Sequence, residues 1–177
     1  MSSEKIDKTE LFAKKYYLDS SLNRWIWAHH IRLVRKYALE LGKIENCDLE
    51  VLEIAALLHD IGKINGREGH AQKSCELSKD FIDSLEFSTK QKELILKCML
   101  KHSGRYSHED NEIEVKVIQC SDALAILFDD VWQEHCRKTK TKEELLFLFD
   151  KMKKKINLES AREIAKPKLK ELRYSLK

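Results

Sequence analysis

Residues 48–62 read DLEVLEIAALLHDIG. Apolar side chains fall on nearly every face of a helix spanning 49–61, which places that helix in the middle of a bundle rather than on its surface. Asp48 stands where a cap opens such a helix, and Gly62 where a left-handed residue closes it. The helix nevertheless finishes on His59 and Asp60. Burying those two polar groups costs free energy unless something pairs with them.

Working outward, the apolar period is helical almost throughout. It predicts a short helix near 7–18 and a long one near 21–41 that ends at Gly42. Further helices are expected near 70–85 and 89–102, the second opened by a capping box of Ser88 and Gln91. A helix over about 112–136 follows, then two more near 141–155 and 158–174, with Pro167 expected to kink or divide the last. The loops between them include KINGREG (63–69) and SGRYSHEDN (103–111). Only five Gly and one Pro occur in 177 residues, too few breakers for a sandwich or barrel with many tight turns. Without repeats, low-complexity stretches or a composition break, the sequence reads as an all-α, single-domain helical bundle over residues 1–177.

Composition narrows the surroundings. Apolar residues make up 42% and charged residues 36% of the chain, the balance of a soluble globular protein. No apolar run approaches the roughly 20 residues of a membrane span, and MSSEKIDKTELF has no apolar core for an export signal. Five scattered cysteines, never spaced C-x-x-C, argue against a disulfide framework and for reduced cytosol. From Arg137 to Lys177 there are 14 basic and 6 acidic residues, whereas the preceding 136 residues are net acidic. Such a basic region reads first as a solvated helix face and second as a weak contact for a polyanion. Self-association is compatible with the sequence.

The chemistry comes from polar residues that fall on apolar stripes. His30 shares its stripe with Ile26, Val34 and Tyr37, whereas His29 sides with Trp25, Arg32 and Lys36. Asp122 lies four residues after Ile118, His102 ends the stripe Ile95, Cys98, Met99, and His70 opens its helix after Gly66 and Gly69. Any one of these alone reads as a satisfied core histidine or a capping carboxylate. Taken together with His59 and Asp60 they are six inward polar residues, with no inward Lys or Arg to pair with them. A shared metal ion satisfies all six.

AALLHDIGK (55–63), with His30 upstream, His70 and His102 after it, and Asp122 in IQCSDALA (118–125), resembles the HD-domain metal-dependent phosphohydrolase superfamily. The resemblance covers about residues 25–130, leaving the basic helices of about 137–177 outside it. It implies an all-α core with His30, His59, Asp60 and Asp122 as primary ligands. As in members that hold two metals, His70 and His102 would bind a second ion, bridged by Asp60. It also makes Lys63, in the HDIGK motif, a cation for substrate phosphate. Arg105 is a further candidate for that task, set against an ordinary exposed loop residue. Glu114 matches an acidic position that could orient a ligand histidine, set against a helix N-terminal carboxylate. The chain departs from many relatives in carrying Cys120 and Ala125 at positions that are acidic there.

Imidazole and carboxylate donors suit one or two ions of Mn, Fe, Co, Ni or Zn better than Mg. Such ions acidify water to a hydroxide that can attack phosphorus, and the residual positive charge welcomes a phosphate dianion. The sequence therefore predicts a metal-dependent phosphohydrolase, with Asp60 and Lys63 at the chemistry, acting on a nucleotide or another small phosphate ester. Alternatives are a regulatory metal-binding module that holds a nucleotide, nucleic acid or protein, and a cyclic or oligonucleotide phosphodiesterase. Oxygen chemistry at a di-iron centre is a more distant one.

Overall fold

The segment that is apolar on all faces forms helix α3, Leu49–Leu58, in which Val51, Leu52 and every residue from Ile54 to Leu58 are buried. Asp48 caps it by accepting from the backbone N–H groups of Glu50 and Val51 at 3.1 and 3.2 Å. The computed structural model describes residues 3–18, 24–106, 109 and 111–174, and every regular element among them is helical.

Around α3 stand α1 (Glu4–Tyr17), α2 (Arg32–Ile44) and α5 (Thr89–Lys101). The side chain of Arg35 ties α2 to both α1 and α3, donating to Glu53 of α3 at 2.7 Å and to Glu10 of α1 at 3.0 Å. α4 (His70–Ser84) rests on α5 and on a tight 3-10 turn, Ile61–Asn65. α6 (Ile113–Phe128) lies along α2 and is nearly as enclosed as α3. The chain closes with α7 (Asp130–Thr139), α8 (Lys142–Lys155) and α9 (Glu159–Tyr174), the last two packed on α6.

Two helix starts are joined side chain to side chain. Ser88 and Gln91 form the expected capping box of α5, and the same Gln91 amide donates to Asp48 at 2.8 Å. A second capping box, Thr141 with Glu144, opens α8.

Several expected boundaries move. α2 runs through Gly42 to Ile44, and the left-handed residue that ends the turn is Asn46, at φ 58°. Asparagine tolerates that conformation, and Gly42 serves instead to let Leu52 lie close against α2. Gly62 is not left-handed either. Its hydrogen faces the backbone of α4, where a Cβ would stand 2.4 Å from the His70 carbonyl oxygen. Close approach, not turn geometry, explains this glycine.

The helix expected over 112–136 is broken at Asp129, which turns extended and accepts from the Trp132 N–H at 3.0 Å, capping α7. α9 continues through Pro167 without dividing. The helix expected from 21 begins outside the described residues; Arg24 and Trp25 are α-helical, and the stretch that follows, Ile26–Ile31, is π-helical. Residues 107, 108 and 110 of the expected polar loop lie outside them too. Among the described residues, no helix is long and apolar enough to cross a membrane.

Candidate metal centre

α3 delivers His59 as its C-terminal cap, and the chain then tightens through Asp60 into the 3-10 turn. Both residues are 0% exposed. α5 ends on His102, α4 begins with His70, α6 carries Asp122 in its middle, and the π-helical stretch before α2 carries His30. A π turn inside an α-helix is rare and often marks a functional position.

These six side chains meet. Asp60 stands between two pairs of imidazoles. Its Oδ2 is 3.4 Å from Nε2 of both His30 and His59. Its Oδ1 is 3.4 Å from Nε2 of His70 and 3.6 Å from Nε2 of His102. Oδ1 of Asp122 closes the first pair, 3.0 Å from His30 Nε2 and 4.0 Å from His59 Nε2. Two buried triads, His30–His59–Asp122 and His59–Asp60–His102, each bring three donor atoms within 4.8 Å of one another.

The tautomers follow from the backbone. Nδ1 of His59 lies 2.9 Å from the Ala56 carbonyl, that of His70 2.6 Å from Arg67, and that of His102 2.6 Å from Met99. A carbonyl oxygen only accepts, so each Nδ1 donates and each neutral ring turns an Nε2 lone pair inward. His70 and His102 then face each other lone pair to lone pair, Nε2 to Nε2, at 3.1 Å. Close as they are to carboxylates, Nε2 of His30 and of His59 make no aligned hydrogen bond among the described residues, and neither does Oδ1 of Asp60. Buried acceptors pointed at one another without donors are costly. A cation between them removes the cost, and imidazole with carboxylate suits a divalent transition ion. These residues could hold a metal.

Charge settles accordingly. Burial, with His59 nearby, pulls the pKa of His102 down to about 3 and leaves it neutral, as a ligand must be. Burial lowers His70 as well. For His30 burial acts the same way, but the Asp122 and Asp60 carboxylates outweigh it and raise the pKa. Burial would raise both carboxyls; His59 and Lys63 hold Asp60 well below its usual range, and Lys155 and His30 do so for Asp122.

The expectation of no inward Lys or Arg fails. The Lys63 ammonium meets Oδ2 of Asp60 from the 3-10 turn. Lys155, the last residue of α8 and only 5% exposed, meets Oδ2 of Asp122. A signal for it existed: Lys155 continues the buried stripe Leu145, Phe149, Met152, which is the logic that singles out Asp122. Tyr17, at the end of α1, is a second residue the sequence did not yield. Its hydroxyl is buried beside Asp60, and burial together with the Asp60 charge raises its pKa well above normal.

Two candidates are not brought into the cluster. Arg105 is exposed, its guanidinium 5.5 Å from the centre of the Tyr106 ring. Glu114 stands in the first turn of α6 and is felt by the thiols of Cys98 and Cys47; eight residues separate it from Asp122, roughly 12 Å along the axis. Cys120 turns to Asn157, with Sγ 3.2 Å from Oδ1, and Asn157 in turn donates to Gln119 at 3.0 Å. The residue in place of a relative's acid thus ties α6 to the α8–α9 connection. Ala125 is core.

A family model described as HD domain matches residues 27–127. A crystal structure of a predicted HD superfamily hydrolase from an uncultured Thermotogales bacterium superposes with a TM-score of 0.69 at 19% identity, covering 96% of this chain and 88% of that one. At that identity the likeness is one of fold. No curated protein matches the sequence.

Proposed function

We propose that this chain, which belongs to the HD-domain family, is a metal-dependent phosphohydrolase that cleaves a phosphate ester of a nucleotide or another small molecule. One observation carries the reading: Asp60 turns one oxygen to His30 and His59 and the other to His70 and His102, all four through Nε2. That is the arrangement of a carboxylate able to bridge two ions.

His30, His59, Asp60, His70, His102 and Asp122 would hold the ion, and the chemistry it would supply is an acidified water as nucleophile. The protein's own contribution is to keep the donors ready. Backbone carbonyls fix three imidazoles with Nε2 inward. The core around α3 keeps bulk water from His59 and Asp60, so charge interactions there are screened less than in water. Lys63, on the partly exposed side, adds positive charge where a phosphate dianion approaches. All five cysteines are free, which supports a reducing compartment such as cytosol as the place of action.

The test is a phosphate-release screen with aryl phosphate, nucleoside monophosphates and a bis-aryl diester, in Mn, Co, Ni and Zn. Release that needs metal, stops with chelator and falls to background in Asp60→Asn is the expected result. The diester arm separates a phosphodiesterase from a monoesterase. Metal uptake without release from any ester would favour the second reading, a regulatory metal-binding module. The engagement of Cys120 with Asn157 and the burial of Ala125 support that reading.

A further inference from the structure

Lys155 lies in the basic C-terminal region, beyond the residues 27–127 matched by the HD-domain model. Its stem runs beside Gly104, just past His102. The stripe Leu145, Phe149 and Met152 anchors α8 to the core, so the ammonium is delivered inward rather than left to water. There it meets Oδ2 of Asp122, while Oδ1 of the same carboxylate faces His30 and His59.

We propose that Lys155 is a positioning residue of the metal centre: by holding Oδ2 it restricts Asp122 to one-oxygen coordination through Oδ1. The inference rests on the metal-centre reading above. A free carboxylate can bind an ion through one oxygen or clasp it with both. A protonated lysine donates three hydrogens and accepts none, so it can occupy Oδ2 without becoming a ligand. Keeping Asp122 to a single oxygen holds the coordination number down. That preserves the open position a catalytic ion needs and a structural ion lacks. The basic C-terminal helices, on this view, complete the site instead of serving only as a solvated face.

The experiment compares Co2+-loaded wild type with Lys155→Met and Lys155→Arg, reading the ligand-field bands of the ion. Lys155→Met frees Oδ2, so the bands should weaken as the coordination number rises, while Lys155→Arg keeps the wild-type spectrum. An unchanged spectrum in folded Lys155→Met overturns the inference.

A second measurement does not depend on that variant folding. In wild type labelled with 15N-lysine, the Lys155 ammonium signal, assigned by its loss in Lys155→Arg, should exchange slowly with water and persist when Zn2+ is added. Its disappearance on loading overturns the inference while leaving the metal centre intact. Wild type that takes up neither Co2+ nor Zn2+ overturns the metal-centre reading, and this inference with it.

Discussion

α3 and α8 both end at the candidate metal centre, yet they are held in place very differently. α3 is enclosed on every face, and the residues beyond its end press against α4, where Gly62 leaves no space for a Cβ. α8 is amphipathic: Leu145, Phe149, Met152 and Lys155 are buried, while most of the residues between them are exposed. A carboxylate at the end of α3 is therefore fixed by the whole core, and a lysine at the end of α8 by one stripe. Damage on the α3 side should harm fold and site together. Damage on the α8 side should be separable.

Gly62→Ala puts that contrast to its hardest test. A Cβ there would stand 2.4 Å from the His70 carbonyl and 2.7 Å from the Ser74 nitrogen, both backbone atoms that cannot swing aside. Overpacking of this kind costs about 3 kcal/mol, and it displaces His70 as well. Urea denaturation with a parallel metal titration should show both losses, and a stable variant with normal metal uptake would break the comparison.

The pH dependence of the metal-free protein comes next in size. His102 has its pKa lowered from 6.5 to about 3 and His70 is lowered too, so the unfolded chain binds protons that the folded one refuses. Stability is then present above pH 6.5 and falls as pH drops toward 3, by up to about 1.4 kcal/mol per pH unit for each such group. His30, shifted the other way, contributes below its ordinary pKa and offsets part of this. The lowered carboxyls Asp60 and Asp122 add to the loss only below their ordinary value of 3.8. Melting in chelator from pH 7.5 to pH 4 should show a fall that sets in near pH 6.5 and deepens toward pH 4, and a flat profile would contradict burial of neutral imidazoles.

The smallest effect belongs to α8. Thr141→Ala removes the cap that accepts from the Glu144 N–H at 3.2 Å and should cost about 1 kcal/mol, with metal uptake unchanged. Loss of metal in that variant would mean that Lys155 depends on the start of α8 as well as on its stripe.

What could be read from the chain follows the same divide. His30, Asp122 and His102 are legible because each interrupts an apolar stripe of a strongly periodic helix. Asp48 and the Ser88–Gln91 box are legible because caps are local. Lys155 escaped because KKK at 153–155 looks like a charged surface run, although one of the three lies in register with Leu145, Phe149 and Met152. Asp129 escaped because the apolar period runs on past it, and a capping carboxylate leaves no mark on periodicity. Gly62 was misread because its need is tertiary: only the closeness of α4 explains it.

Asp48 and Gln91 join the starts of α3 and α5, and His59 and His102, which cap the far ends of those helices, meet with ring centres 4.8 Å apart. The two helices lie like the arms of a pair of calipers, with Asp48 and Gln91 at the hinge, packed side chains between them and the imidazoles as jaws. An arm of ten residues is about 15 Å long, so a tilt of about 4° at the hinge opens the jaws by about 1 Å, half a metal–ligand bond. The spacing of the two imidazoles is thus tied to a side-chain contact at the other end of the helices that carry them.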